Sequence, residues 1–360
     1  MLERHSRIGG NAMSSYTIFD SALASIADAG PDLRNGLTNH APMAIEALCA
    51  LGQEEAVIPW LEHYRPGMMP WPYAHKPVNP PAWHLALGHI EQVTDWRAFF
   101  VEELDAAPWR EVLDRWVSRL APAICASAAH GVIRVAHAVR ALAEAETPTR
   151  LAELAAALGY WAACYQELPT DLSASQPPSR PSTAIRNVAI VPLEQRKFTG
   201  TIVGSLERLD EFAPFASVIG LADLSGDASR VVSELTETFA HVYLANAHDV
   251  LTTIVFVHGI TSGASLRLLA PHLSEPVIRD ASRYTWQAQC GIYAAFGQRY
   301  TPAQEPVAPQ ESHEELITMA ITNGDEHVIK LTEACLREYE INPSPVYLAA
   351  ARHAMDVLKG

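Results

Sequence analysis

Across residues 109–146, WREVLDRWVSRLAPAICASAAHGVIRVAHAVRALAEAE, apolar side chains return every third and fourth position for several turns. That is the repeat of helix with one face in a core. The same period runs through APMAIEALCALG (41–52), which begins after Asn39-His40 and stops at Gly52. It runs again through PTRLAELAAALGYWAACYQEL (148–168), which opens on a proline, as a first helical turn permits, and closes before Pro169. Ala, Leu, Glu and Arg, all strong helix formers, dominate these stretches. NVAIVPL and TGTIVGSL fit brief strands, but no regular alternation of strand and helix supports a doubly wound sheet. The expectation is an all-α protein, a large multi-helix single-core domain with long Pro-rich loops.

At 360 residues, 49% hydrophobic and 19% charged, the chain can bury a sizeable core. Residues 1–15 read as an N-terminal extension without the apolar run of a signal peptide, and 16–360 as one α-helical domain. PTDLSASQPPSRPST (169–183) reads as a surface linker within it, while RPGMMPWPYAHKPVNPPAW (65–83) has the aromatic and Met content of a packed loop or lid over a pocket. With 26 Lys and Arg against 41 Asp and Glu, the net charge of −15 repels phosphate backbones and argues against a nucleic-acid partner. His258 and Arg267 interrupt the most apolar window before about 18 residues, which argues against a membrane-spanning helix. Five cysteines without a C-x-x-C pair fit buried thiols in a reducing compartment, hence the cytoplasm. A homo-oligomer stays open.

The stretch LTTIVFVHGITSGASLRLLAPHL (251–273) admits two readings: the oxyanion entry of an α/β-hydrolase, or a helix that carries His258 as a ligand. The G-x-S-x-G elbow that the first requires is absent, as are the dinucleotide fingerprint, the phosphate loop and H-E-x-x-H. Fifteen histidines are a generous supply, and several lie in apolar helical settings where an imidazole needs a partner. His130 and His137, seven apart, fall about 20° apart around a helix, with Arg134 one turn after His130. Each could equally be a core histidine bonded to a carbonyl. In NGDEHVIKLTEACLREY (323–339), His327 and Lys330 are three apart and share a face. If buried, Lys330 has a lowered pKa and can take up carbon dioxide to become an anionic oxygen ligand. If exposed, it pairs with Glu326 and Glu333 as ordinary amphipathic charge.

In chain order, GLTNHAPMAIEALCALG, DWRAFF, AHGVIRVAHAVRAL, IVFVHGITSGASLRLLAPHL, TWQAQCGIYAAFG and DEHVIKLTEACLRE resemble the questin oxidase-like family over about residues 18–340. The resemblance implies Baeyer–Villiger-type oxygenation and ring opening of aromatic polyketides such as anthraquinones. It further implies non-haem Fe(II) held by histidines and a carboxylated lysine, with dioxygen as co-substrate and NADPH left open. Carried over residue by residue, it makes His40, His130, His258 and His327 the imidazole ligands and Lys330 the fifth. Imidazole suits iron. The chain departs from the pattern at Arg134, where fungal relatives tend toward a second histidine, and at His137, where they tend toward an aromatic residue. These two are the candidate catalytic residues, Arg134 as a fixed cation for a developing enolate or carboxylate. Trp83, Tyr284 and Trp286 are candidates to stack on the small aromatic substrate, against a plain packing role. The competing functions are a metal-free or NADPH-dependent Baeyer–Villiger oxidase and a non-catalytic polyketide-binding protein.

Overall fold

The computed structural model describes residues 15–173, 177–196, 198, 200–298 and 306–359, so all but the last position of the expected N-terminal extension lies outside the described residues. Helix α1 (Ser15–Ser25) leads into a short antiparallel pair, β1 (Ala29–Leu33) and β2 (Met68–Pro70), which brackets α2 (Ala41–Ala50) and α3 (Glu54–Tyr64). Next come α4 (Val93–Ala106), α5 (Trp109–Leu120), α6 (His130–Glu144) and α7 (Pro148–Ala163), then two short helices, α8 (Pro181–Ala184) and α9 (Ile202–Leu206). The remainder is α10 (Ala228–Asn246), α11 (Val250–Leu269), α12 (Glu275–Phe296), α13 (His313–Asn323), α14 (Glu326–Ile341) and α15 (Pro345–Val357). The fold is essentially all-α and single-domain, as the helical period implies.

Local chemistry starts these helices where the sequence supplies caps. Thr147 accepts from the Arg150 amide ahead of Pro148, Asp249 and Thr252 close a capping box on α11, and Asp325 accepts from the His327 and Val328 amides of α14. Helix α5 buries Trp109, Val112, Leu113, Trp116, Val117 and Leu120, the three-and-four spacing of one face. Trp116 meets Trp96, Phe99 and Phe100 of α4 edge-on at centroid distances of 4.8–6.0 Å.

The unbroken helical period expected over 109–146 is interrupted. Helix α5 ends at Leu120, Pro122 follows in a 3-10 turn, and Ser127, Ala128 and Ala129 take φ of 48°, 55° and 66°, a left-handed turn directly before His130. Proline has no N–H for the helical ladder, and three non-glycine residues in the left-handed region carry strain that the surroundings must hold. Among the described residues, the brief strands expected at NVAIVPL and TGTIVGSL are also absent. Leu193–Gln195 is a 3-10 turn after Pro192, and the Thr201 hydroxyl caps α9.

The expected 65–83 loop contributes β2 and packs Trp71 against the core. The proposed linker runs irregularly from 169 to 173 and from 177 to 180 before α8. Helix α11 continues through a 3-10 turn to His272, and this 23-residue span is by length and composition apolar enough to cross a bilayer; 78% of its most apolar window is buried inside the protein.

Buried apolar residues form a large cluster and a smaller one built mainly on α1, α2 and α3. Helices α2, α6 and α14 give side chains to both: Met43 and Ile45, Val139 and Ala141, Val328 and Ile329. Around this seam, α2 packs on α6, α6 on α11, α11 on α14, and α14 back on α2, a closed ring.

Candidate metal centre

Each helix of the ring contributes one histidine. His40 is the N-cap of α2, His130 the first residue of α6, His258 lies midway along α11, and His327 is the second residue of α14, one turn before Lys330. All five side chains are buried. Ring centroids stand 4.6 Å apart for His40–His130, 4.7 Å for His130–His258, 4.7 Å for His40–His327 and 5.6 Å for His258–His327. The five residues that the resemblance implies as ligands thus lie together, drawn from positions 40 to 330.

The hydrogen bonds of the rings share one direction. His258 Nδ1 meets the Ile254 carbonyl at 2.7 Å, and His130 Nδ1 meets the Ser127 carbonyl. His327 Nδ1 lies 3.2 Å from Asp325 Oδ1, and His40 Nδ1 lies 3.4 Å from Glu326 Oε1 with no other partner. A neutral imidazole that donates from Nδ1 is an acceptor at Nε2. His130 Nε2 faces His40 Nε2 at 2.6 Å and His258 Nε2 at 3.1 Å. Between His130 and His258 two lone pairs are opposed, with no proton of their own to share.

Burial first, then the Lys330 charge, holds His130 down at about 3, and burial leads in holding His40 and His258 well below the ordinary imidazole range. An added proton is therefore no remedy. A cation is. Two imidazoles at right angles on one ion, with bonds of about 2.1 Å, have nitrogens about 3.0 Å apart, close to the spacing found. The donor set fits a metal, and the Nδ1 partners are the groups that orient metal-bound histidines.

Lys330 makes no hydrogen bond or ion pair among the described residues. Burial brings its amine from 10.5 down to about 8, against the opposing pull of Glu326 and Asp325. Three helix N-termini also converge on the site, and their partial positive charge opposes protonation of the cage while favouring an anion in it. An uncharged amine and a carboxylated one both answer that field.

Several contributors were not legible from sequence. Glu326 forms with His40 and His327 a group whose ligand atoms lie within 4.8 Å of one another. Tyr160, buried on α7, joins its hydroxyl to Ser127 Oγ at 2.6 Å and to Thr38 Oγ1 at 2.9 Å. One hydroxyl therefore ties the left-handed turn before His130 to the segment before His40. Gly131 is required beside it: a Cβ there would stand 2.5 Å from Trp161 Cγ. Tyr160→Phe is expected to weaken metal binding by about tenfold, since loss of such an outer partner costs about 10–100-fold in affinity. Chelator competition for Co(II) measures this, and unchanged affinity would sink the tie.

The remaining sequence candidates lie outside the cage. Arg134 is buried and forked onto Glu153, Nε to Oε1 at 2.6 Å and Nη2 to Oε2 at 2.9 Å. His137 Nδ1 meets Glu46 Oε2 at 2.5 Å, and Arg140 Nη2 shares that oxygen at 2.5 Å. Trp286 has no exposed surface and donates its indole N–H to the Val218 carbonyl at 2.8 Å. Trp83 packs edge-on against Trp116 at 5.0 Å with Arg119 over its ring at 4.9 Å, and Tyr284 is half-buried on α12. These three aromatics are not brought into contact with the cage.

Among comparisons with known proteins, the family model described as questin oxidase-like matches residues 37–335, which includes all four imidazoles, Lys330 and Glu326. None of the curated proteins compared with the chain matches it.

Proposed function

Since the chain belongs to the questin oxidase-like family, and with it to the oxidoreductases, we propose that it is an iron-dependent oxygenase that inserts oxygen into an anthraquinone-like aromatic polyketide and opens a ring. The observation that carries the metal is the pair of opposed Nε2 lone pairs of His130 and His258, 3.1 Å apart in a buried cage. His40, His130, His258 and His327 would hold Fe(II), with Lys330 as a fifth ligand. Bound there, iron supplies the redox chemistry that makes dioxygen reactive.

The protein's own groups do the rest. With its pKa near 8, Lys330 keeps a neutral fraction at neutral pH, and that amine can add to carbon dioxide, releasing one proton and leaving an anionic carbamate oxygen. Asp325 and the Ser127 and Ile254 carbonyls keep the Nδ1 protons of three rings in place, so that each Nε2 stays free. Burial keeps water out and His40, His130 and His258 uncharged.

Protein purified without added metal should carry iron, or take up Fe(II), and should consume oxygen with an anthraquinone from a hydroxylated panel. His327→Ala is expected to lose at least nine-tenths of its iron and its oxygen uptake, read by elemental analysis and an oxygen electrode. Turnover by protein that neither carries nor binds iron would overturn the metal; tight anthraquinone binding without oxygen consumption would overturn the enzyme.

A further inference from the structure

Two cavities flank the cage. The larger, about 690 Å³, has Trp60, Tyr64, Asp325 and Glu326 in its wall. The smaller, about 350 Å³, lies between α1, α4, α6 and α7 with Trp71 of the Pro-rich loop at its side, within the range of small-molecule sites. Their charge differs in sign. Acids line the first, whereas the second contains Arg97, Arg134 and Glu153 against Leu23, Ile26 and Pro42.

Within the smaller cavity nearly every polar group is already matched. Both oxygens of Glu153 receive Arg134. Asn39 donates to the Gly30 carbonyl at 2.9 Å and accepts from the Ala41 amide at 3.0 Å. Of the three charged side chains in this wall, Arg97 is the one left: among the described residues its guanidinium makes no hydrogen bond or ion pair and stands 4.6 Å from the Trp71 ring centroid. Close packing fixes the backbone from which it projects, because Gly159 of α7 lies so near that a Cβ would be 2.9 Å from the Arg97 amide nitrogen. The cavity also abuts two ligand-bearing segments, as Asn39 precedes His40 and Arg134 is one turn beyond His130.

We propose that this cavity binds a flat aromatic anion, with the Arg97 guanidinium as its counter-charge and the Trp71 indole beside its ring, an inference that rests on the oxygenase reading above. An arginine over an aromatic face presents its fork edge-on to an incoming carboxylate or phenolate, and apolar walls strengthen the pair by excluding water. The acidic cavity repels the same ligand.

Anthraquinone-2-carboxylate and its neutral carboxamide, titrated into the full chain with tryptophan fluorescence and calorimetry as readouts, test this. The carboxylate is expected to bind at least tenfold more tightly than the carboxamide. Arg97→Gln should erase that preference with the carboxamide unchanged, and Arg97→Lys should restore part of it. Ala152→Phe, which fills the cavity from its rim, should weaken both ligands more than tenfold, while Ala56→Phe in the acidic cavity should leave both within twofold. A carboxylate preference that survives Arg97→Gln, or binding blocked by Ala56→Phe rather than Ala152→Phe, would overturn the site. Iron content and oxygen uptake, followed in the same preparations, separate this outcome from failure of the oxygenase reading.

Discussion

Lys330→Met is expected to make the metal-free protein more stable while removing at least 99% of its iron affinity. The two effects share one cause. Holding the amine at about 8 instead of its ordinary 10.5 costs the native state about 3 kcal/mol wherever both the folded and the unfolded chain are protonated, at about 1.36 kcal/mol per pH unit. The folded pKa is the lower one, so the penalty is full below about 8 and disappears as pH rises toward 10.5. Wild-type stability should therefore climb between those limits, and the methionine variant should lack that rise. Methionine keeps the length of the stem and needs no partner. Urea unfolding in the presence of a chelator, repeated from pH 7 to 10.5, gives the stability, and chelator competition gives the affinity. A variant less stable than wild type at neutral pH would show that the amine is not held at a cost.

Glu46→Gln should act in the opposite sense, lowering stability by about 3–5 kcal/mol, the usual cost of removing one partner from a buried charge cluster. Glu46 has no exposed surface and receives the Tyr16 hydroxyl at 2.8 Å, Arg140 through Nε and Nη2, and His137. Arg140 also reaches Glu333, which Arg337 bonds at 2.9 Å. Burial alone would raise the Glu46 carboxyl, but Arg140 and His137 outweigh it and bring it from 4.5 to about 2. A depressed carboxyl stabilises fully above about 4.5, and the gain is lost as pH falls through about 2. Acid unfolding should thus start at higher pH in the variant. A loss under 1 kcal/mol would mean that the cluster holds together without its central carboxylate.

How far the sequence discloses this molecule depends on the range of each signal. Periodicity is local, so the helices and the shared face of His327 and Lys330 are visible in a few turns of chain. Resemblance supplied the rest of the proposed ligand set, since no spacing rule links His40 to His258. Of the interruption before His130, the break at Pro122 stands in the sequence, but the left-handed turn does not: Ser127, Ala128 and Ala129 are ordinary residues, and the Tyr160 hydroxyl that bonds Ser127 comes from more than thirty positions on. The same holds for Arg97 inside DWRAFF, whose lack of a partner becomes visible only once Arg134 is seen to take both oxygens of Glu153. Trp286, a sequence candidate for substrate, shows the converse: an aromatic residue at helical spacing whose polar edge is used up by a backbone carbonyl.

The ring of four helices also sets an order of events during synthesis. His40 and Lys330 are 290 positions apart, so most of the polypeptide must leave the ribosome before the last donors exist. A nascent or clipped chain without α14 offers only part of the cage, and a redox-active ion held by part of it could damage whatever lay nearby. For a chain that takes iron as proposed, late closure would make completion of the fold the gatekeeper, and the captured ion would work as a clasp, drawing the early and late thirds of the chain together in proportion to how tightly it is held.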